Sequence, residues 1–187
     1  VSFVLRFIRA LEGIVRVFGV LAALICVVLV LIVAGDVFAR YLFRTGAIWL
    51  QELHWHLLAP IALFGMSYAL LAGEQVRVDV FYERFPALVR RGIEVLGGLL
   101  LVGIGLYVAW VSIPWVEMSW RRGEGSPNPG GIPYRFILKS LIPLGFFLLA
   151  LQGLAHALRH AFGLAETPPG HIRNAPRPPE ASQDRLP

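Results

Sequence analysis

The chain has 187 residues, of which 57% are apolar and only 16% charged, and its mean hydropathy is +0.67. A water-soluble domain carries about 25% charged residues, so the composition excludes an ordinary soluble globule and points to several membrane spans with their loops. The net charge of +5 does not form a nucleic-acid patch, because the basic residues are scattered between apolar runs, and the single Cys26 can neither close an intrachain disulfide nor build a cysteine zinc cluster.

Residues 1–16 read as an amphipathic basic arm carrying Arg6, Arg9 and Arg16. The first uncharged run, Val17 to Gly35, holds 19 residues, which at about 1.5 Å per residue nearly crosses a hydrocarbon core of about 30 Å. It is longer than a signal-peptide core, and Asp36, Arg40 and Arg44 follow it without a small-residue cleavage site, so the segment is expected to be retained. Asp36 and Arg40 are four apart and share a face if the helix continues that far. Trp49 to His56, with Glu52 among them, leads into a second run of 17 uncharged residues, Leu57 to Gly73. The third run, Val95 to Val116, is 22 residues long, contains Gly97, Gly98, Gly103 and Gly105, and ends near Pro114. A turn-rich connector, Gly123 to Pro133, precedes the fourth span, Leu141 to Leu158, where Lys139 and Arg159 are placed to snorkel to the interface. From Ala165 onward lie six of the 13 prolines and few residues able to form a core, so residues 161–187 are expected to be a Pro-rich disordered cytoplasmic tail behind a four-helix transmembrane domain at 17–160.

These runs predict an all-α integral membrane protein with four transmembrane helices. Of the 17 Lys and Arg residues, 11 fall in the N-terminal arm, the second loop and the tail, and 6 in the other two loops. The positive-inside rule therefore places the N- and C-termini in the cytoplasm. Nothing in the span middles is more polar than Ser67, Tyr68, Ser112 and Gln152, which read as interhelical hydrogen bonds rather than a solute path. Such a chain is expected to work with a partner. Small residues recur at intervals of four at Gly65, Ala69 and Gly73, at Gly19 and Ala23, and at Gly105 and Ala109, predicting close helix contacts. The five tryptophans near span ends read as an aromatic belt.

His54 and His56 are two apart and point away from each other on a helix, whereas His156 and His160, four apart, share a face and have the spacing of a metal pair or an axial haem ligand. The two groups fall at span ends on opposite sides of the predicted topology, so no metal or cofactor-binding residue is assigned. There is no nucleotide-binding glycine loop, no HExxH and no carboxylate pair in a plausible pocket, so no catalytic residue is assigned either.

The order of features resembles the DctQ-like small membrane subunit of tripartite ATP-independent periplasmic (TRAP) transporters. The resemblance covers roughly residues 10 to 160 and is carried by Asp36-Val-Phe-Ala-Arg40-Tyr41-Leu-Phe43, Trp49-Leu-Gln-Glu52, Gly73-Glu74-Gln75-Val76-Arg77-Val78-Asp79 and the Gly131-Ile132-Pro133 turn. It implies a multi-pass protein of the bacterial inner membrane, packed beside a large DctM-like permease, with a periplasmic DctP-like binding protein delivering an organic acid. Sodium coupling is then expected in the large permease, and no cofactor in this chain. The same resemblance makes Asp36, Arg40, Trp49, Glu52, Arg77 and Asp79 structural anchors or partner contacts rather than chemical groups. The residues themselves leave two other classes open: a membrane haem or electron-transfer subunit using the histidines, and a self-assembling four-helix membrane protein.

Overall fold

The computed structural model describes residues 2–44, 46–73 and 85–164. These residues form four α-helices: α1 (Ser2–Phe43), α2 (Ile48–Ala72), α3 (Ala87–Arg121) and α4 (Arg135–Ala161). All four are long and apolar enough to cross a membrane. In lipid a backbone must satisfy its own polar groups, and a helix does so within one segment. Pro60, Pro114 and Pro143 lie inside helices rather than ending them, so the third span continues seven residues past Pro114. Gly73 ends α2 in the left-handed region at φ 77°, and its N–H returns to the carbonyls of Ala69 and Leu70. A residue with a Cβ is strained in that conformation.

Helix α1 has 42 residues, roughly 63 Å of helix at about 1.5 Å per residue, about twice the hydrocarbon thickness. The basic arm is not a separate element but the first turns of this helix. Ile8, Leu11, Glu12, Val15, Gly19 and Ala22 form one buried stripe at helical spacing, while Arg6, Arg9 and Arg16 stay exposed.

Helix α4 is the centre of the bundle. In its most apolar 18-residue stretch 44% of residues are buried, against 11% in α1 and α3. Neighbours in the chain run antiparallel, α1 beside α2 and α3 beside α4, and α4 also touches both α1 and α2. Ile8 and Leu11 pack on Ala155, and Ala22 and Phe64 on Leu148, with the Phe18 ring edge-on to Phe64 at 5.0 Å. The bundle thus has a loop end, with the α1–α2 and α3–α4 connections, and a terminal end, with the start of α1 and the end of α4.

The tightest seam joins α3 to α4. A Cβ on Gly98 would lie 2.8 Å from the Gly153 carbonyl oxygen, one on Gly153 2.9 Å from the Gly98 oxygen, and one on Gly105 2.7 Å from the Phe146 oxygen. The expected contact at Gly105 is present, as is close packing of Gly19 on Tyr68. A Cβ on Gly65 or Gly73 would meet nothing, so these two glycines mark no close approach among the described residues. Among the described residues, Ser67 Oγ, Ser112 Oγ and Gln152 Oε1 do not make the interhelical hydrogen bonds expected of them. Ser112 donates to Val108 of its own helix at 2.6 Å, and Ser67 Oγ and Gln152 Oε1 are buried without a partner among the described residues.

Candidate functional site

The charged side chains of the bundle gather at its two ends. At the loop end, Glu52 sits one turn into α2, and its carboxylate receives the Ser126 hydroxyl, Asn128 Nδ2 at 3.0 Å and the Ile132 backbone N–H at 2.7 Å. Three donors converging on a single acceptor suit an ionised carboxylate. The connector between α3 and α4 wraps this group, with Ser126 N–H bonded to Ile132 O and Arg135 N–H to Glu124 O. Gly131 is needed at the closest point, because a Cβ there would stand 2.6 Å from Glu52 Oε2. Glu124, in the same connector, pairs with Lys139, whose amine holds the Glu124 carboxyl below the usual carboxylate range. Lys139 thus reaches from the entrance of α4 to the connector carboxylate.

Beside this clasp, Asp36 and Arg40 pair across one turn of α1 at 2.8 Å. The Asp36 side chain is 6% exposed and that of Arg40 48%. Together with Leu29, Val33, Gln51, His54, Trp55 and Leu58 they line an open groove of about 460 Å³ between α1 and α2. The groove carries a guanidinium, an imidazole and an amide beside apolar helix faces. Trp49, in the first turn of α2, is 51% exposed at the same end.

At the terminal end, Glu12 of α1 receives both Arg159 Nε at 2.8 Å and Arg159 Nη2 at 2.6 Å, a two-pronged pair that ties α1 to α4. On the α3–α4 side of that end, His156 Nε2 meets Glu94 Oε2 at 2.9 Å.

A family model described as the DctQ component of tripartite ATP-independent periplasmic transporters matches residues 29–163. The chain belongs to this family. It is similar to the ectoine TRAP transporter small permease protein TeaB of Halomonas elongata, 25% identical over 153 residues that cover 82% of this chain and 75% of that protein. This DctQ-family chain is thus the small membrane component of a TRAP transporter, and not an enzyme.

Within the DctQ chain, the structure brings Asp36 and Arg40 together, binds Glu52 to a connector 74 or more residues away, and leaves Trp49 on the surface. Arg77 and Asp79 lie outside the described residues. Sequence reasoning missed the partners of Glu52, and it missed Glu12, Glu94 and the role of Arg159. A signal for Glu12 was present: it is the only acidic residue among the arm's arginines, and it falls on the apolar stripe with Ile8, Leu11 and Val15.

The buried position of Asp36 makes the cost of losing its partner predictable. Arg40→Ala leaves a shielded carboxylate uncompensated, but Arg40 itself is half-exposed and water screens the pair. The expected destabilisation is on the order of 1–2 kcal/mol rather than that of a fully buried pair. Unfolding of the detergent-solubilised chain measures it. Asp36→Asn combined with Arg40→Ala should recover part of the loss, and no recovery would mean that the pair itself contributes nothing.

Proposed function

We propose that this small permease acts as a static support. It packs beside and stabilises a large DctM-like permease during cation-coupled uptake of an organic acid delivered by a DctP-like periplasmic binding protein. The observation that carries this reading is the placement of charge: four uncharged runs form the middle of the bundle, while the carboxylates Glu12, Asp36, Glu52, Glu94 and Glu124 are engaged at its ends. A bundle clamped at both ends and apolar between them suits a body that holds still while another subunit moves.

On this reading α1 supplies much of the docking surface. Val17, Leu24, Leu31 and Phe38 recur every seven residues and are 60–68% exposed, a stripe that a neighbouring helix covers well. Sodium coupling and substrate choice belong to the other subunits, and this chain needs no cofactor of its own for transport. The distribution of Lys and Arg supports cytoplasmic termini, and with that orientation in a bacterial inner membrane the Glu52 clasp would face the periplasm.

The test is purification of the chain from its native membranes in mild detergent with identification of what stays bound. A large polytopic permease recovered near one-to-one is the expected outcome. Recovery of the chain alone, under conditions that keep other membrane complexes intact, would overturn the support role.

A further inference from the structure

We propose that Glu94, His156 and His160 form a binding site for one divalent first-row transition-metal ion of the zinc class, stapling α3 to α4 at the terminal end. The three side chains offer one carboxylate oxygen and two imidazole nitrogens, all within 4.8 Å of one another. His156 and His160 are one helical turn apart on α4, with rings 4.5 Å between centroids, and Glu94 reaches them from α3. Two histidines at this spacing on a helix face are a proven zinc-holding arrangement, and the carboxylate from a second helix completes a three-ligand set with the fourth position left for water.

The geometry is close to what an ion needs. Ligand atoms around a tetrahedral zinc lie about 3.3–3.6 Å apart, given bonds of about 2.0–2.2 Å. Glu94 and His156 are at 2.9 Å, and the 4.8 Å bound on the set leaves the rest to ring and carboxylate rotation. The backbones that carry the ligands are already fixed. Gly98, one turn after Glu94, and Gly153, one turn before His156, bring the two backbones into close contact, which sets the distance between the helices just where the ligands project. The side chains of His156 and Glu94 are 15% and 12% exposed, shielded enough to strengthen an ion's hold yet reachable from the bundle end. Two nitrogens in the set select zinc, cobalt, nickel or copper over magnesium and calcium, which take oxygen. The neighbouring Arg159 directs its guanidinium to Glu12 on the α1 side of α4.

The site does not depend on the permease reading, and its test uses the chain alone. Full-length protein is purified in mild detergent without a histidine tag, stripped with a chelator and titrated with zinc chloride, with bound ion counted by elemental analysis. One zinc per chain is expected, with a Kd of roughly micromolar or tighter. Glu94→Gln and His160→Ala should each weaken binding by more than about tenfold, while a His54→Ala, His56→Ala and His171→Ala variant should bind as the parent does. Cobalt loading should give visible absorption bands that His160→Ala abolishes, and zinc should raise the unfolding temperature of the parent but not of His160→Ala. The proposal is overturned by the absence of saturable binding up to about 100 µM zinc, by binding that Glu94→Gln and His160→Ala leave unchanged, or by binding that disappears with the other three histidines. His156→Ala is not the variant of choice, because His156 also packs within the helix pair.

Discussion

Gly153→Leu is expected to part α3 from α4 and to produce the largest loss of stability of any single substitution in the described bundle. The position has no room for even a methyl group: the backbone oxygen of Gly98 and the Leu101 side chain each lie 2.9 Å from where a Cβ would stand. Overpacking a side-chain pocket usually costs about 1–3 kcal/mol. Here backbone is the obstacle and cannot rotate aside, so the expected loss exceeds about 3 kcal/mol. Gly98→Leu should behave alike from the other side of the seam. The internal controls are Gly97→Ala and Gly103→Ala, where a Cβ meets nothing and the gain in helix propensity, up to about 1 kcal/mol, is the main effect. Thermal or denaturant unfolding in detergent distinguishes the two groups, and equal effects at all four positions would show that the close approach is not structurally important.

The second large effect is expected at Glu52. Glu52→Ala removes the acceptor that Ser126, Asn128 and the Ile132 N–H share, and Glu52→Gln turns an amide donor toward the same donors. Either change should release the α3–α4 connector while leaving the helices folded. Hydrogen exchange at Ile132 and its neighbours should accelerate roughly ten- to a hundredfold, with the α4 interior unchanged. If the permease reading holds, the same variants lower recovery of the complex and the rate of uptake without altering which substrates are carried. A changed substrate profile would count against a supporting role, and unchanged exchange would mean that the connector is held by something other than Glu52.

The four helices were legible because spans of this kind advertise themselves locally: a run of about 20 apolar residues has few other uses. The ends were harder. Asp36 and Arg40 could be paired from spacing alone, since four residues on one helix are neighbours whatever the rest of the fold does. Glu52 could be singled out as a charge at a span entrance, but its partners are 74 to 80 residues away and no local rule reaches that far. Glu12 was hidden among arginines, and Glu94 was unremarkable until α3 and α4 were brought together. The small-residue repeats show the same limit from the other side. Gly65 and Gly105 look alike in sequence, yet only Gly105 meets a neighbouring backbone, because an apolar helix is small and smooth on faces that contact lipid as well as on faces that contact protein.

The central place of α4 also bears on how the protein is made. A ribosome releases α1 and α2 first, and these can pair with each other through Phe18, Phe64 and the Gly19–Tyr68 contact. Helix α3 comes next, and its principal packing surface in the finished bundle is on α4, which has not yet emerged. Until then α3 sits in the membrane with its glycine face uncovered. Helix α4, made after the other three, therefore closes the seam with α3, receives Ile8 and Leu11 from α1, and brings Arg159 to Glu12. A chain cut short before Arg135 loses one helix of the four and, with it, the packing that gathers α1, α2 and α3 into one bundle.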